Sequence, residues 1–388
     1  MATLTLPSTD GGLENYTTGT PRDLPETQDR PFNRVAYAAA HVVPNAAADN
    51  DPWIETDVDW DRTIAFRIHL WKLGLGVAEA MDTAQRGMGM DWPTSLELIR
   101  RSVDASHDIP GATIASGAGT DHLAPSPDRS IDDIIAAYEE QCAAIEACGG
   151  RIILMASRAL AACAKSADDY GKVYDRILGN VTQPVIVHWL GEMFDPALKG
   201  YWGKTDHYEA MDVCLDVLKR NTDKVDGIKI SLLDKDKEIL LRRGLPKGVR
   251  MYTGDDFNYA ELIAGDDEGY SDALLGIFDA IAPAASAALA ALAGNRLGEF
   301  NDIFARTVPL SRHIFRAPTR FYKTGVVFMA YLNGHQDHFV MVGGQQSTRS
   351  VSHLAEIFRL ADKAGLLADP GDAAARMERV MAVYGIGV

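Results

Sequence analysis

Basic residues are in deficit: 38 Lys and Arg stand against 54 Asp and Glu, a formal charge of −16. A surface this acidic repels phosphate backbones and anionic lipid, so neither nucleic acid nor a membrane is an expected partner. Cysteine is sparse too. Cys142, Cys148, Cys163 and Cys214 are the four in 388 residues, and none forms a CxxC pair. Irregular, scattered thiols predict reduced side chains in a cytoplasmic protein, not a disulfide framework. No apolar run reaches the length of a membrane span. The opening MATLTLPSTDGG has neither a basic start nor an apolar core, so no signal peptide is expected. Metal and phosphate signatures are also missing. There is no HxH or HExxH spacing, and Gly117-Ala118-Gly119-Thr120 lacks the lysine-serine pair of a phosphate loop. No motif implies a cofactor or a bound metal.

What is present is an ordinary globular composition, 47% hydrophobic and 24% charged, able to bury a large core. Residues 1–32, rich in Thr, Pro, Gly and Asp, read as an irregular N-terminal extension. From there short apolar runs alternate with amphipathic stretches. Strands are predicted in segments 34–44, 76–83, 111–120, 151–157, 184–191, 225–231, 249–256 and 269–276. Helices are predicted over 60–74, 92–106, 130–150, 166–181, 207–223, 235–245 and 257–265. Strands spaced by helical patterns pair in parallel through right-handed crossovers. Eight such units favour closure, because a closed barrel has no sheet edges. The expected fold is therefore an α/β protein, a (β/α)8 TIM barrel over residues 33–283. A helical region over 284–388 is expected to pack on it.

In such a barrel the chemistry sits at the C-terminal ends of the strands. Lys229 ends the sixth barrel strand, in the apolar run VDGIKIS. Burial disfavours its ammonium and yields the neutral amine that attacks a ketone. His188, at the end of the fifth strand, is the leading acid/base candidate, since an imidazole titrates near neutrality. Arg158, at the end of the fourth, has the fork geometry to clamp a carboxylate or phosphate. Ser157 beside it is a hydrogen-bonding partner for the substrate.

Gly227-Ile228-Lys229-Ile230-Ser231-Leu232-Leu233-Asp234 resembles the sixth-strand pattern of the dihydrodipicolinate synthase and N-acetylneuraminate lyase family of Schiff-base (class I) aldolases. Gly254-Asp255-Asp256 resembles that family's seventh-strand turn, and ASGAGT (115–120) and PVIVHWLG (184–191) resemble its third- and fifth-strand segments. Lys323 falls where that family has a lysine in its first C-terminal helix. The resemblance implies a lyase forming an imine on Lys229 with a 2-oxo acid or related small carbonyl substrate. It implies substrate-binding roles for Thr83, Ser231 and Asp255, and assembly as a homodimer or homotetramer; Asp82 and Arg158, at the same strand ends, are expected to bind substrate as well. The departures are specific. Where the family has Gly-Thr-Thr-Gly-Glu, this chain has Asp82-Thr83-Ala84-Gln85-Arg86. Where it has a strand-four tyrosine that shuttles protons, this chain has Ala156-Ser157-Arg158. His188-Trp189 replaces a Tyr-Asn pair. Proton transfer is therefore expected from His188 with Ser157, on a substrate other than those of the family's two named reactions.

Two other classes stay open. Glu79, Asp82, His122, His188 and Asp255 lie at or near strand ends and have the chemistry of a divalent-cation site, which a metal-dependent barrel lyase or hydrolase would use. A non-catalytic barrel that only binds a ligand would leave the cost of burying Lys229 unexplained.

Overall fold

The computed structural model describes residues 1–8, 10–28 and 30–387. Two strands, β1 (Thr3–Pro7) and β2 (Leu13–Thr17), form an antiparallel hairpin. Eight more follow: β3 (Ala36–Ala39), β4 (Gly76–Glu79), β5 (Ile114–Ala118), β6 (Ile152–Leu154), β7 (Val185–Leu190), β8 (Val225–Ser231), β9 (Arg250–Thr253) and β10 (Asp272–Leu275). These pair in parallel and in sequential order, and β10 closes onto β3. The expected eight-stranded barrel is present, with each strand inside its predicted segment.

The helices form where capping chemistry meets apolar periodicity. Asp59, Asp91, Asp206 and Asp234 each accept a hydrogen bond from a first-turn N–H of the helix that follows. Ser130 and Asp133 make a reciprocal capping box at the start of Ile131–Ala147. Pro93 sits in the first turn of Trp92–Ser106, where its missing N–H costs nothing. Past residue 281 the chain is mainly helical, with Ala282–Ala293, Leu297–Ile314, Tyr322–Leu332, Val351–Ala364 and Pro370–Val383 as the main segments. Gly294-Asn295-Arg296 separates the first two of these, with Asn295 in a left-handed conformation at φ 57°. Among the described residues no helix is long and apolar enough to cross a membrane.

Strand alternation divides the core in two. Tyr37, Ala39, Ala78, Ala115, Ile153, Ile186, Tyr252 and Leu274 face inward and fill the barrel. Ile228, Ile230, Val187 and Trp189 face outward against the helices. Trp189 meets the ring of Trp202 there at 6.2 Å. A residue two positions further along an inward-facing row therefore lies one layer higher, at the mouth.

The N-terminal extension contains the one regular element that composition did not predict. Thr3-Leu4-Thr5-Leu6 alternates, with Leu4 and Leu6 buried, and Gly11 supplies the positive φ of the turn. Five residues per strand are too few to stand out among the surrounding polar residues. The hairpin is tied to the C-terminal helices. Arg359 Nη2 donates to Pro7 O and to Glu14 Oε1, each at 2.6 Å, and the Tyr16 hydroxyl donates to Asp362 Oδ2 at 2.7 Å.

Candidate active site

Lys229 pairs in register with His188 on one side and Tyr252 on the other. Residues opposite one another in a parallel ladder share a face, so Lys229 and His188 both enter the barrel. Lys229 is 7% exposed. Burial pushes its ammonium below the ordinary lysine range, and the facing carboxylates of Asp256 and Asp82 oppose that shift. Asp256 moves the other way, its carboxyl raised chiefly by its own burial. Its Oδ1 accepts from the Ile277 N–H at 2.9 Å. Amine and carboxyl line one chamber, and among the described residues no direct ion pair joins them.

The Gly-Asp-Asp turn separates three tasks. Gly254 permits close approach, since a Cβ there would fall 2.2 Å from Ser231 Oγ, 2.6 Å from the Ile230 carbonyl and 2.8 Å from Lys229 Cε. Asp255, expected at the substrate, is instead committed to its own loop. Its carboxylate accepts from Phe257 N, Asn258 N and Asn258 Nδ2 at 2.8, 3.0 and 2.8 Å. The side chain that lines the chamber beside Lys229 is Asp256.

His188 is buried, and Nε2 lies 3.3 Å from Ser231 Oγ while Nδ1 has no partner among the described residues. Burial and, second, the charge of Lys229 hold the imidazole well below the usual histidine range. At neutral pH it is a neutral acceptor. Ser157 departs from expectation. Its hydroxyl pairs with Thr120 Oγ1 at 2.6 Å and accepts from Leu160 N at 2.9 Å, and its own N–H donates to the Tyr201 hydroxyl at 3.0 Å. It caps the short helix Arg158–Cys163 and lines none of the mouth chambers, because the cap turns its side chain back on its own chain. Arg158, by contrast, reaches the mouth, where its Nε is ion-paired with Asp195.

Three chambers that share lining residues lie at the strand ends around Lys229. The innermost is about 10 Å3, the space of one water, and is lined by Asp82, Thr83, Lys229, Ser231, Asp256 and Tyr322. A second, about 70 Å3, is lined by Asp82, Thr120, Arg158, His188 and Asp195 among others. The outermost is about 410 Å3 and takes in Arg158, Arg320, Tyr322, Lys323 and Thr348. Asp82 and Leu190 line all three. Thr83 and Lys229 thus share one chamber, and His188 and Arg158 share the next.

Tyr322 is the side chain that strand-end reasoning missed. It starts the helix Tyr322–Leu332, stacks on Phe315 at 4.3 Å, and its hydroxyl pairs with Thr83 Oγ1 at 2.8 Å. Burial first, and Asp82 second, push the phenol well above its ordinary range, so it stays protonated. The one local signal was the neighbouring Lys323. No strand pattern could bring in a residue nearly fifty positions past β10.

The residues weighed as metal ligands disperse. Glu79 receives Arg67 Nε and Nη2 at 2.9 Å each and Ser102 Oγ at 2.6 Å, behind the strand. The Nδ1 atom of His122 bonds Gln141 at 2.8 Å. Among the described residues no three His, Cys, Asp or Glu side chains gather as an ion would need.

A family model described as "Protein of unknown function (DUF993)" matches residues 4–386. No curated protein matches. Solved structures with the same fold include a prophage protein of the dihydrodipicolinic acid synthase family from E. coli K12 in complex with pyruvate. It has TM-score 0.66 and 12% identity, over 86% of this chain and 99% of that one. Dihydrodipicolinate synthase from Aquifex aeolicus gives 0.64 and 10%, with 86% and 99% covered. The 4-hydroxy-tetrahydrodipicolinate synthase of Methylacidiphilum fumariolicum SolV gives 0.64 and 14%, with 89% and 99% covered. At these identities the likeness is one of fold.

Proposed function

The chain belongs to that DUF993 family, and we propose that it is a lyase of the class I aldolase type, holding a 2-oxo acid or related carbonyl substrate as an imine on Lys229. The observation that carries this reading is a lysine buried at the C-terminal end of the sixth barrel strand, with a buried carboxyl lining the same chamber. The amine of Lys229 attacks the carbonyl carbon. The carbonyl oxygen leaves as water, taking one proton from the amine and one from Asp256, which leaves an iminium beside a carboxylate. The Thr83–Tyr322 hydroxyl pair donates to the departing oxygen and passes protons without ionising. This assigns to Tyr322 and Asp256 what the sequence had assigned to Ser157.

The iminium is an electron sink, so the neighbouring carbon–carbon bond can break or, in reverse, form. His188, neutral and with a free Nδ1, takes the hydroxyl proton of the departing fragment and returns it to the enamine carbon. Asp82, Thr83, Ser231 and Arg158 bind the substrate, with Ser231 also orienting His188. A metal-dependent mechanism draws no support from the geometry, because of its five candidate ligands only Asp82 and His188 share a chamber.

The test is borohydride trapping. Incubation with pyruvate, 2-oxobutanoate or 2-oxoglutarate followed by reduction should add the reduced substrate mass to the peptide bearing Lys229. Modification of another lysine, or of none, overturns the reading. The same proposal includes a cytoplasmic setting, one barrel domain with helices docked on it, and a homodimer or homotetramer. A monomeric mass in light scattering at micromolar concentration would refute the last.

A further inference from the structure

Lys323, in the first turn of Tyr322–Leu332, is 4% exposed. Its ammonium donates to the Arg320 carbonyl at 3.2 Å and to the thioether of Met88 at 3.3 Å. A thioether is a weak acceptor, and no carboxylate reaches this ammonium directly among the described residues. A buried cation without a counterion is costly: burial lowers this ammonium to about 8, the charge of Asp82 opposes that shift, and an anion bound beside it would relieve the cost.

The rest of the outer chamber has the same bias. Its lining carries three cations, Arg158, Arg320 and Lys323, against two carboxylates, Asp82 and Asp195. Asp195 is already taken by Arg158. Arg320 stands at the rim over the ring of Phe321, 4.8 Å from its centroid, and forms no ion pair among the described residues. Phe321, Tyr322 and Lys323, where this helix begins, all line the chamber. In a protein of net charge −16 the lining of this cavity thus carries an excess of one positive charge.

We infer that the outer chamber is an oxyanion-binding site, built on Lys323 and Arg320, for a phosphate or carboxylate group at the far end of the substrate from its carbonyl. This rests on the Lys229 reading for the word substrate, and not for the site itself. Tyr322, Asp82 and Phe194 line both the outer and the innermost chamber. These shared walls place the two chambers side by side, and the proposed substrate spans both. The substrate class that follows is a carbonyl compound with a distal anionic group, larger than pyruvate. The roughly 410 Å3 of the outer chamber takes the tail, and the narrow inner one takes only the reacting carbon.

The experiment is calorimetric titration of the full chain with inorganic phosphate and with succinate at fixed ionic strength, with chloride as reference. At least one of the two should bind more tightly than chloride, and the tighter one tells a phosphorylated from a dicarboxylate substrate. Lys323→Met should weaken that binding by at least about tenfold, the scale of a lost charged hydrogen bond. Because Lys323 is buried, Arg320→Gln at the exposed rim supplies the second variant and should weaken binding severalfold. Binding no tighter than chloride, or affinity unchanged in Arg320→Gln and in a folded Lys323→Met, overturns the inference. Lys229→Arg separates the two readings. It should abolish borohydride trapping and leave phosphate or succinate affinity within about twofold, a change worth only a few tenths of a kcal/mol. Anion binding without trapping in the wild type would remove the Schiff-base reading and leave the anion site standing.

Discussion

Replacing Tyr322 with Phe removes a single oxygen atom from the proposed proton path. The ring keeps its stack on Phe315 at 4.3 Å, so the helix start stays filled. What is lost is the 2.8 Å bond to Thr83 Oγ1, which leaves a buried hydroxyl without its partner. The stability cost should be about 1–3 kcal/mol, the usual range for an orphaned buried polar group. The catalytic cost should be larger, because general acid–base groups contribute roughly 10²–10⁴-fold. Turnover in Tyr322→Phe should fall by about a hundredfold or more, with a melting temperature only a few degrees lower. Thr83→Val breaks the same bond from the other side. If the two hydroxyls act as one relay, the double variant should be no slower than the worse single variant, since parts of one unit do not lose rate additively. Stopped-flow turnover with the substrate that traps on Lys229 reads this directly. Full turnover in Tyr322→Phe, or strictly multiplicative losses in the double variant, would refute the relay.

Lys229→Arg should fold and lose turnover completely, because a guanidinium is effectively never neutral and cannot attack a carbonyl; chelator treatment of the wild type should leave turnover intact. Trapping on wild-type Lys229 should rise with pH and level off below the ordinary lysine range, as burial predicts; a midpoint at or above that range in a pH series contradicts it. Glu238 is buried with its carboxyl pushed up to about 8 chiefly by desolvation, against accepted bonds from Ser271 and Thr253. Its folded value is raised, so its cost to stability grows as pH climbs from the unfolded value near 4.3 to about 8 and is constant above, at about 1.4 kcal/mol per unit. Glu238→Gln should therefore raise the melting temperature more at pH 9 than at pH 5, and an equal shift at both would refute this. Gly254→Ala should destabilise by about 1–3 kcal/mol and suppress trapping, since the backbone carbonyl of Ile230 cannot swing away from the new methyl. Unchanged melting and trapping would show that the turn has slack.

The barrel was legible because its signals are local. Each strand segment is a short apolar run between capped helices, and eight of them leave closure as the way to remove the edges. Strand ends also located Lys229, His188 and Arg158, since inward alternation from a known strand places a residue at the mouth. The failures have one cause, which is that a strand end marks a place and not the direction of a side chain. Ser157 is at the mouth in sequence, yet its hydroxyl turns back to cap the helix it starts. Asp255 and Asp256 are neighbours, and only the turn decides which one is bound up by Asn258. The N-terminal hairpin was invisible for a different reason, being stabilised by partners such as Arg359 and Asp362 some 345 residues away in sequence.

That last kind of contact also brings Tyr322 to the candidate site. A tyrosine at the end of strand four could reach the mouth only from the barrel wall, and there the chain has placed Ser157 under a helix cap. Tyr322 reaches Thr83 from the opposite side, on a helix outside the barrel repeat. The next residue on that helix is Lys323, whose ammonium lies 4.8 Å from the Tyr322 ring. One helical turn therefore carries both the phenol that lines the innermost chamber with Lys229 and the cation that lines the outer one. Any movement of this helix shifts both together, so an anion bound at Lys323 would hold Tyr322 against Thr83. Phosphate or succinate should then raise the trapping rate of a short substrate such as pyruvate, and lose that effect in Arg320→Gln. If added anion merely competes with pyruvate, the two chambers are separate compartments and the helix does not link them.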